Sequence, residues 1–427
     1  MSSIDTPAGP ARGRAVPVAE RDHAQRVVVT GLGVFSSIGF GAAEFASSLR
    51  TGRSGVSPIT AFDTAGFDRS LGCEVRGFDP EKWIERLNVA ELGRATQFAV
   101  AAARMAVKDA GLPADRLREL RTHISIGTTD AESHDTDRLT ADWVAGGRES
   151  LNPVLAGRVS AGRLSAAIAR ELDLTAAEAV TIGTACSAGN YAIGHGFDAI
   201  RVGDADIALC GGADAMCRKS FTAFYRLGTI APDCVRPFDT DRQGILNGEG
   251  AGVLVLESLD SALARGARIH CEVMGYGLSC DAHHPVSPEQ SSIERCMRAA
   301  LDDAGVRPDE VDLISAHGTG TKTNDITESR AIGSVYTGRP PRTISLKSML
   351  GHTMGAASAL AAIACSLAIT GGFIPPTINH RHTDPECEID CVPNKSVPAE
   401  LRVVQNNGLA FAGNNSVVVL GRYDHVG

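Results

Sequence analysis

Cys186 is the residue whose setting speaks most directly of chemistry. It lies in Val180-Thr-Ile-Gly-Thr-Ala-Cys186-Ser-Ala-Gly-Asn190, where a β-like run ends in a small-residue turn and a helix-like stretch follows. The pattern predicts a thiol at a helix N-terminus, where the macrodipole and free backbone N–H groups favour the reactive thiolate. The chain has 11 cysteines and no Cys-x-x-Cys pair, so most must be structural. Two glycine-framed histidines come later, in His317-Gly-Thr-Gly-Thr321 and Lys347-Ser-Met-Leu-Gly-His352-Thr-Met-Gly-Ala-Ala357. A lone histidine is more often satisfied structure than catalyst. These two follow predicted strands, the place where open α/β sheets put ligands. A cysteine nucleophile and two neutral histidines suit carbon–carbon bond formation from a thioester. The thiolate takes the acyl group, and two Nε2–H donors stabilise the enolate left when a malonyl group loses carbon dioxide.

The elements that must position these residues alternate. Val27–Gly33, His123–Gly127, Ala179–Gly183, Ala205–Ala213 and Gly250–Glu257 read as strands, with helical periodicity over 91–110 and Leu164–Leu172. A second series repeats the order: strand Cys271–Tyr276, helix Ile293–Ala304, strands Val311–Ser315 and Thr343–Leu346, helix Ala356–Ala368, and a closing pair at Gly408–Phe411 and Val417–Leu420. Such alternation predicts an α/β fold with a largely parallel sheet and helices on its faces. The repeat divides the chain into halves 26–265 and 266–427. The helices after Cys186 and Gly351 are apolar almost all round and predict burial between two sheets. Residues 1–25 lack periodicity and read as a disordered leader.

At 427 residues the chain can bury a sizeable core. A net charge of −9 argues against nucleic acid and requires any acidic partner to dock on a local basic patch. No run approaches the roughly 20 apolar residues of a membrane span. Free thiols without a signal peptide suit the cytoplasm. Cys387, Cys391, His380 and His382 have no common zinc spacing, so no metal is expected.

Together, Thr184-Ala-Cys186-Ser, Arg236-Pro-Phe-Asp-Thr-Asp-Arg242, Gly248-Glu-Gly250 and the two histidine motifs give a close resemblance over roughly residues 26–424. The chain resembles the β-ketoacyl synthases of the thiolase superfamily, in the elongating type II subgroup that acts on carrier proteins. The resemblance implies a thiolase-like fold with duplicated βαβαβ halves in five layers, α-β-α-β-α. It implies Cys186 as the acylated nucleophile and His317 and His352 in decarboxylation and condensation. Lys347 and Glu328, with Asp325, match the family's supporting polar network. Phe411 matches the gatekeeper whose backbone N–H shares the oxyanion hole with that of Cys186. Thr319 and Thr321 match the pantetheine-contacting pair, with Ser287 on the same side. No bound cofactor is implied, because the substrates ride on the phosphopantetheine of an acyl carrier protein. Initiating synthases carry Asn where this chain has His352, and chain-length-factor partners lack the Cys, so both are disfavoured. A stand-alone enzyme in fatty acid or polyketide-type biosynthesis fits. A homodimer is favoured over a heterodimer with a Cys-less homologue.

The departures open an alternative. The family's closing Gly-Phe-Gly-Gly-Thr-Asn reads Ala410-Phe-Ala-Gly-Asn-Asn415 here, which restricts the gate. Asp130 stands where the acyl pocket is usually apolar. Either it turns outward or the substrate is polar, because an unpaired buried carboxylate is expensive. Val286 replaces a pantetheine-side Thr, beside His283 and His284, which read as loop residues. These changes admit a ketosynthase-like cyclase performing aldol or lactone closure on a polar thioester. A non-catalytic partner subunit is weakened by the intact Cys, His, His and Lys. Arg218, Lys219 and Arg226 are the expected carrier-docking patch.

Overall fold

The computed structural model describes Asp22 and residues 25–424, so nearly all of the stretch read as a leader lies outside the described residues. Ten principal strands build the central sheet. The first series is β1 (Val27–Ser36), β2 (Thr122–Gly127), β3 (Ala177–Ile182), β4 (Ile207–Asp214) and β5 (Gly250–Ser258). The second is β6 (Cys271–Cys280), β7 (Leu313–Ser315), β8 (Arg342–Ile344), β9 (Val403–Gly408) and β10 (Asn414–Gly421). Across the sheet the order is β8-β7-β9-β10-β6-β1-β5-β4-β2-β3. Each series therefore runs first, fifth, fourth, second, third outward from the β1–β6 junction, and the topology is duplicated.

The sheet is mixed rather than largely parallel. β2 is parallel to β3 and β4, and β7 to β8 and β9. The last strand of each series returns antiparallel on both sides, and β1 meets β6 antiparallel. The apolar runs are real, but continuous burial on both faces does not encode direction. All ten residues of β1 are buried.

Helices α1 (Arg94–Asp109), α2 (Ser133–Gly146), α3 (Arg163–Glu171), α4 (Ala188–Arg201) and α5 (Arg218–Arg226) belong to the first series. Helices α6 (Gln290–Ala304), α7 (Lys322–Val335) and α8 (Ala357–Gly371) belong to the second. α1 and α3 cover the first half of the sheet and α6 packs on β6 and β10, with α7 against α6. α4 and α8 pack on each other in the middle. That is the five-layered thiolase-like arrangement. α4 and α8 touch so closely that a Cβ on Gly189 would lie 2.6 Å from the Ala359 nitrogen. Side chains such as Leu360 and Ile363 on α8 are fully buried, each stabilising by roughly 1.5–3 kcal/mol. Against the sequence reading, Met354–Gly371 is long and apolar enough to cross a membrane, but it is mostly buried, as α8 and the turn before it.

The closing pair differs from the sequence reading. The first partner is Val403–Gly408, and the strand ends at the glycine where it was expected to begin. Gln405, Asn406 and Asn407 disguise it, because their amides are spent on buried hydrogen bonds to Tyr336, Asn190 and Glu328. Helices α2, α5 and α7 were not read: α2 and α7 lack a clear apolar stripe, and α5, though amphipathic, is only nine residues long.

Candidate active site

Cys186 lies in a tight turn, Ala185–Ser187, directly before α4. The turn is pulled shut by Ser187 Oγ donating to the Thr184 carbonyl at 2.9 Å. Ala185 takes φ +53°, which strains a non-glycine residue. The thiol is as expected at a helix N-terminus, but its ionisation is not. Burial pushes it up to about 12, the Lys347 ammonium pulls it down, and the Asp214 and Asp130 carboxylates push it up. The resting thiol is neutral because it is only 5% exposed, and desolvation is the largest cause acting on it.

The second half supplies two imidazoles to the same cavity. His317 follows β7, and its ring lies 5.5 Å from that of His352, nearly perpendicular at 80°. The Met354 N–H donates to His352 Nδ1 at 3.2 Å. The Lys347 ammonium donates to the His317 carbonyl at 2.6 Å and approaches His317 Nδ1 at 3.3 Å. Each Nδ1 therefore acts as an acceptor, which puts the proton on Nε2 of both rings. Burial first, then the Lys347 charge, holds both imidazoles well below the ordinary 6.5, so both are neutral. Burial brings Lys347 itself down to about 8. The His352 backbone is pinned to the first half: its N–H donates to the Leu246 carbonyl and its carbonyl accepts from Gly248.

The supporting carboxylates act on backbone. Glu328 on α7 accepts from the N–H groups of His317 and Gly318, each at 2.8 Å, and from Asn407 at 3.0 Å. Asp325 accepts from the N–H of Phe238 and of Gly320. Both fix the loop that carries His317. The Arg236–Arg242 motif is an ionic knot: Arg242 reaches Asp384, and Asp239 accepts from the N–H groups of Arg381 and His382. In Gly248-Glu-Gly250, Glu249 is buried against Arg94 and two backbone N–H groups.

One cavity of about 210 Å³ is lined by Cys186, His317 and His352. Thr319, Thr321, Ser287 and Phe411 line the same space. The two threonine hydroxyls lie 2.8 Å apart. Phe411 is 37% exposed at the mouth, its ring 5.4 Å from that of Phe224, which in turn lies 6.3 Å from His352. Phe224 was missed, because nothing marks an aromatic on a short helix as a wall of the site. In the gate Ala412 adopts φ +63°. This is a left-handed conformation that a non-glycine residue rarely adopts. His284 lines the cavity with Nδ1 accepting from the N–H groups of Val286 and Ser287.

Two expectations need correction. Asp130 is not among the residues lining this cavity. Its Oδ1 takes the Lys219 ammonium at 2.8 Å, and its backbone is tied to Asp214. Lys219, bound also to Ser133 Oγ, is thereby not a free docking cation. Arg218 and Arg226 remain exposed on α5, whose C-terminal neighbour Leu227 lines the cavity. Asp214 itself was missed. An acid closing an apolar Gly-Gly-Ala strand was the available signal. Among the described residues no group of three or more His, Cys, Asp or Glu is placed to hold a metal.

Models of the "Beta-ketoacyl synthase, N-terminal domain" and "Beta-ketoacyl synthase, C-terminal domain" match residues 24–262 and 270–381. The chain is 36% identical over 411 residues to 3-oxoacyl-[acyl-carrier-protein] synthase 2 of Synechocystis, covering 93% of this chain and 98% of that one. Among solved structures it resembles the ishigamide ketosynthase/chain length factor, with 62% identity and a TM-score of 0.93 over 94% of this chain and 100% of that one. It also resembles a ketosynthase solved in complex with its type II PKS acyl-carrier protein and bound to the hexaketide, with 32% identity, a TM-score of 0.86 and the same coverages. The chain belongs to the β-ketoacyl synthase family and is an acyltransferase of the ketosynthase type.

Proposed function

We propose that this ketosynthase loads an acyl group onto Cys186 and condenses it with a malonyl group carried on an acyl carrier protein, in fatty acid or polyketide-type biosynthesis. Two neutral Nε2–H imidazoles facing one cavity with a buried cysteine are the observation that carries the reading. In loading, the Cys186 sulfur attacks the acyl thioester, the carrier's C–S bond breaks, and the thiol proton leaves with the pantetheine sulfur. In condensation, the malonyl C–C bond breaks and carbon dioxide departs. The enolate oxygen is held by His317 and His352. The enolate carbon attacks the acyl carbonyl, the Cys186 C–S bond breaks, and the thiolate regains a proton. Neutral donors suit the enolate, because they stabilise charge that develops only during the reaction.

The substrate arm is a phosphopantetheine, for which Thr319, Thr321 and Ser287 offer hydroxyls along the cavity. The carrier docks beside α5, the helix that lends Phe224 to the cavity, where exposed Arg218 and Arg226 would steer an acidic partner. The likeness at 62% identity to a ketosynthase/chain length factor favours a heterodimer over the homodimer. This chain is then the ketosynthase subunit, because it keeps Cys186. The open outer edge of β3, half exposed, offers the sheet a place to continue into that partner.

Reconstitution with an acyl carrier and malonyl-carrier tests the reading. Malonyl-dependent release of carbon dioxide and a 3-oxoacyl-carrier two carbons longer are expected by mass spectrometry. A cyclised product formed without malonyl would establish the cyclase instead.

A further inference from the structure

Asp214 ends β4 fully buried, and five donors converge on its carboxylate. Four come from the first half: Thr128 Oγ1 at 2.6 Å and the N–H groups of Thr129, Asp130 and Ala131 at 2.8–3.0 Å. Three successive N–H groups around one carboxyl group form a nest, and burial first, then the Asp130 charge, pushes Asp214 up to about 7 against them. The fifth, the N–H of Gly355 at 2.6 Å, comes from the loop of the second half that carries His352. Each arm contains a non-glycine residue in the left-handed region, Ala131 at φ +46° and Met354 at φ +51°. Such strain persists only where surrounding contacts over-determine it. The arms also touch: a Cβ on Gly355 would lie 2.4 Å from the Thr128 Cα.

Met354 joins this anchor to the site. Its own N–H donates to His352 Nδ1, and the next N–H along the chain, that of Gly355, is the one Asp214 holds. We infer that Asp214 is a positioning residue that fixes His352 in its Nε2–H form, by holding the strained Met354–Gly355 peptide from the other half of the molecule. Without that anchor Met354 relaxes from its left-handed conformation, its N–H leaves Nδ1, and the imidazole proton is free to move between the two nitrogens. The catalytic consequence rests on the reading of His352 as an enolate donor, whereas the tautomer does not.

The test is Asp214→Asn in full-length protein labelled with ¹⁵N-histidine, with the His352 signals assigned by their loss in His352→Ala. The wild type is expected to show a single Nε2–H form for His352, and D214N a mixture. Malonyl-carrier decarboxylation should fall by about tenfold, in keeping with one lost buried hydrogen bond, and loading of Cys186 by much less. Adding Met354→Gly, which accepts φ +51° without strain, should recover the single form in part. A His352 signal that stays wholly Nε2–H in D214N overturns the inference, whatever happens to the rate. A mixed tautomer with unchanged decarboxylation upholds the anchor and refutes the donor reading of His352 instead. If D214N yields no folded protein, D214N/M354G is expected to fold, and its failure to do so overturns the inference.

Discussion

Lys347→Met should separate stability from activity. Folding lowers the Lys347 ammonium from 10.5 to about 8, with burial the largest cause. At about 1.36 kcal/mol per pH unit, holding it charged in the folded chain costs about 3 kcal/mol. Methionine removes that penalty but leaves the His317 carbonyl and Nδ1 without their donor, which costs about 1–3 kcal/mol. The variant should therefore be as stable as wild type at pH 7, or slightly more stable. The sign with pH follows from which state holds the proton. Between pH 8 and 10.5 the unfolded chain still binds a proton that the folded chain has lost, so wild-type stability rises with pH through this window. Below pH 8 both states are protonated and the full penalty applies. Urea titrations of both proteins from pH 7 to 10.5 isolate the group by difference, since all other titrating groups are shared. The wild type should gain about 3 kcal/mol on the variant across the window. A flat difference would refute the claim that a buried ammonium sits on His317. Condensation by the variant should fall by at least about tenfold, because the His317 tautomer is no longer fixed.

His352→Ala should lower malonyl decarboxylation by about 10²–10³-fold and acyl loading far less, as single-turnover assays of each step would read; equal losses would contradict the division of labour. Because both imidazoles are held well below 6.5, ¹⁵N-histidine spectra should show neither ring protonating between pH 8 and 6.5, and an imidazolium signal from either at 6.5 would contradict their neutrality. Ala412→Gly should relieve left-handed strain of about 1–2 kcal/mol and raise amide exchange in 410–413 while leaving the rest of the chain protected. Charge reversal of Arg218 and Arg226 should raise the KM for the carrier and leave that for a small thioester analogue unchanged.

The candidate site residues were legible in the sequence because each sits in a small-residue turn that follows a strand, where chain reversal and close approach demand such neighbours. Cys186, His317 and His352 share one cavity, as their settings implied. The duplicated order of strands was legible too, since apolar runs separated by glycine turns mark existence and sequence. Their directions were not, because an apolar run is equally apolar read either way. Strand β9 was hidden by its amides, which look like loop residues until their buried partners are known. The neutral thiol of Cys186 and the Asp130–Lys219 pair were hidden for a related reason: burial and long-range pairing decide both, and neither is local. Asp214 belongs with these, since its donors come from residues 128–131 and 355.

The central claim, that Cys186 alone among 11 cysteines carries the acyl group, is tested most directly by peptide-mapped mass spectrometry after incubation with an acyl carrier. The acyl mass should appear once per chain, on the peptide containing Cys186, and vanish in Cys186→Ala. Acylation of any other cysteine in the wild type, or acylation that survives in the variant, would contradict the account.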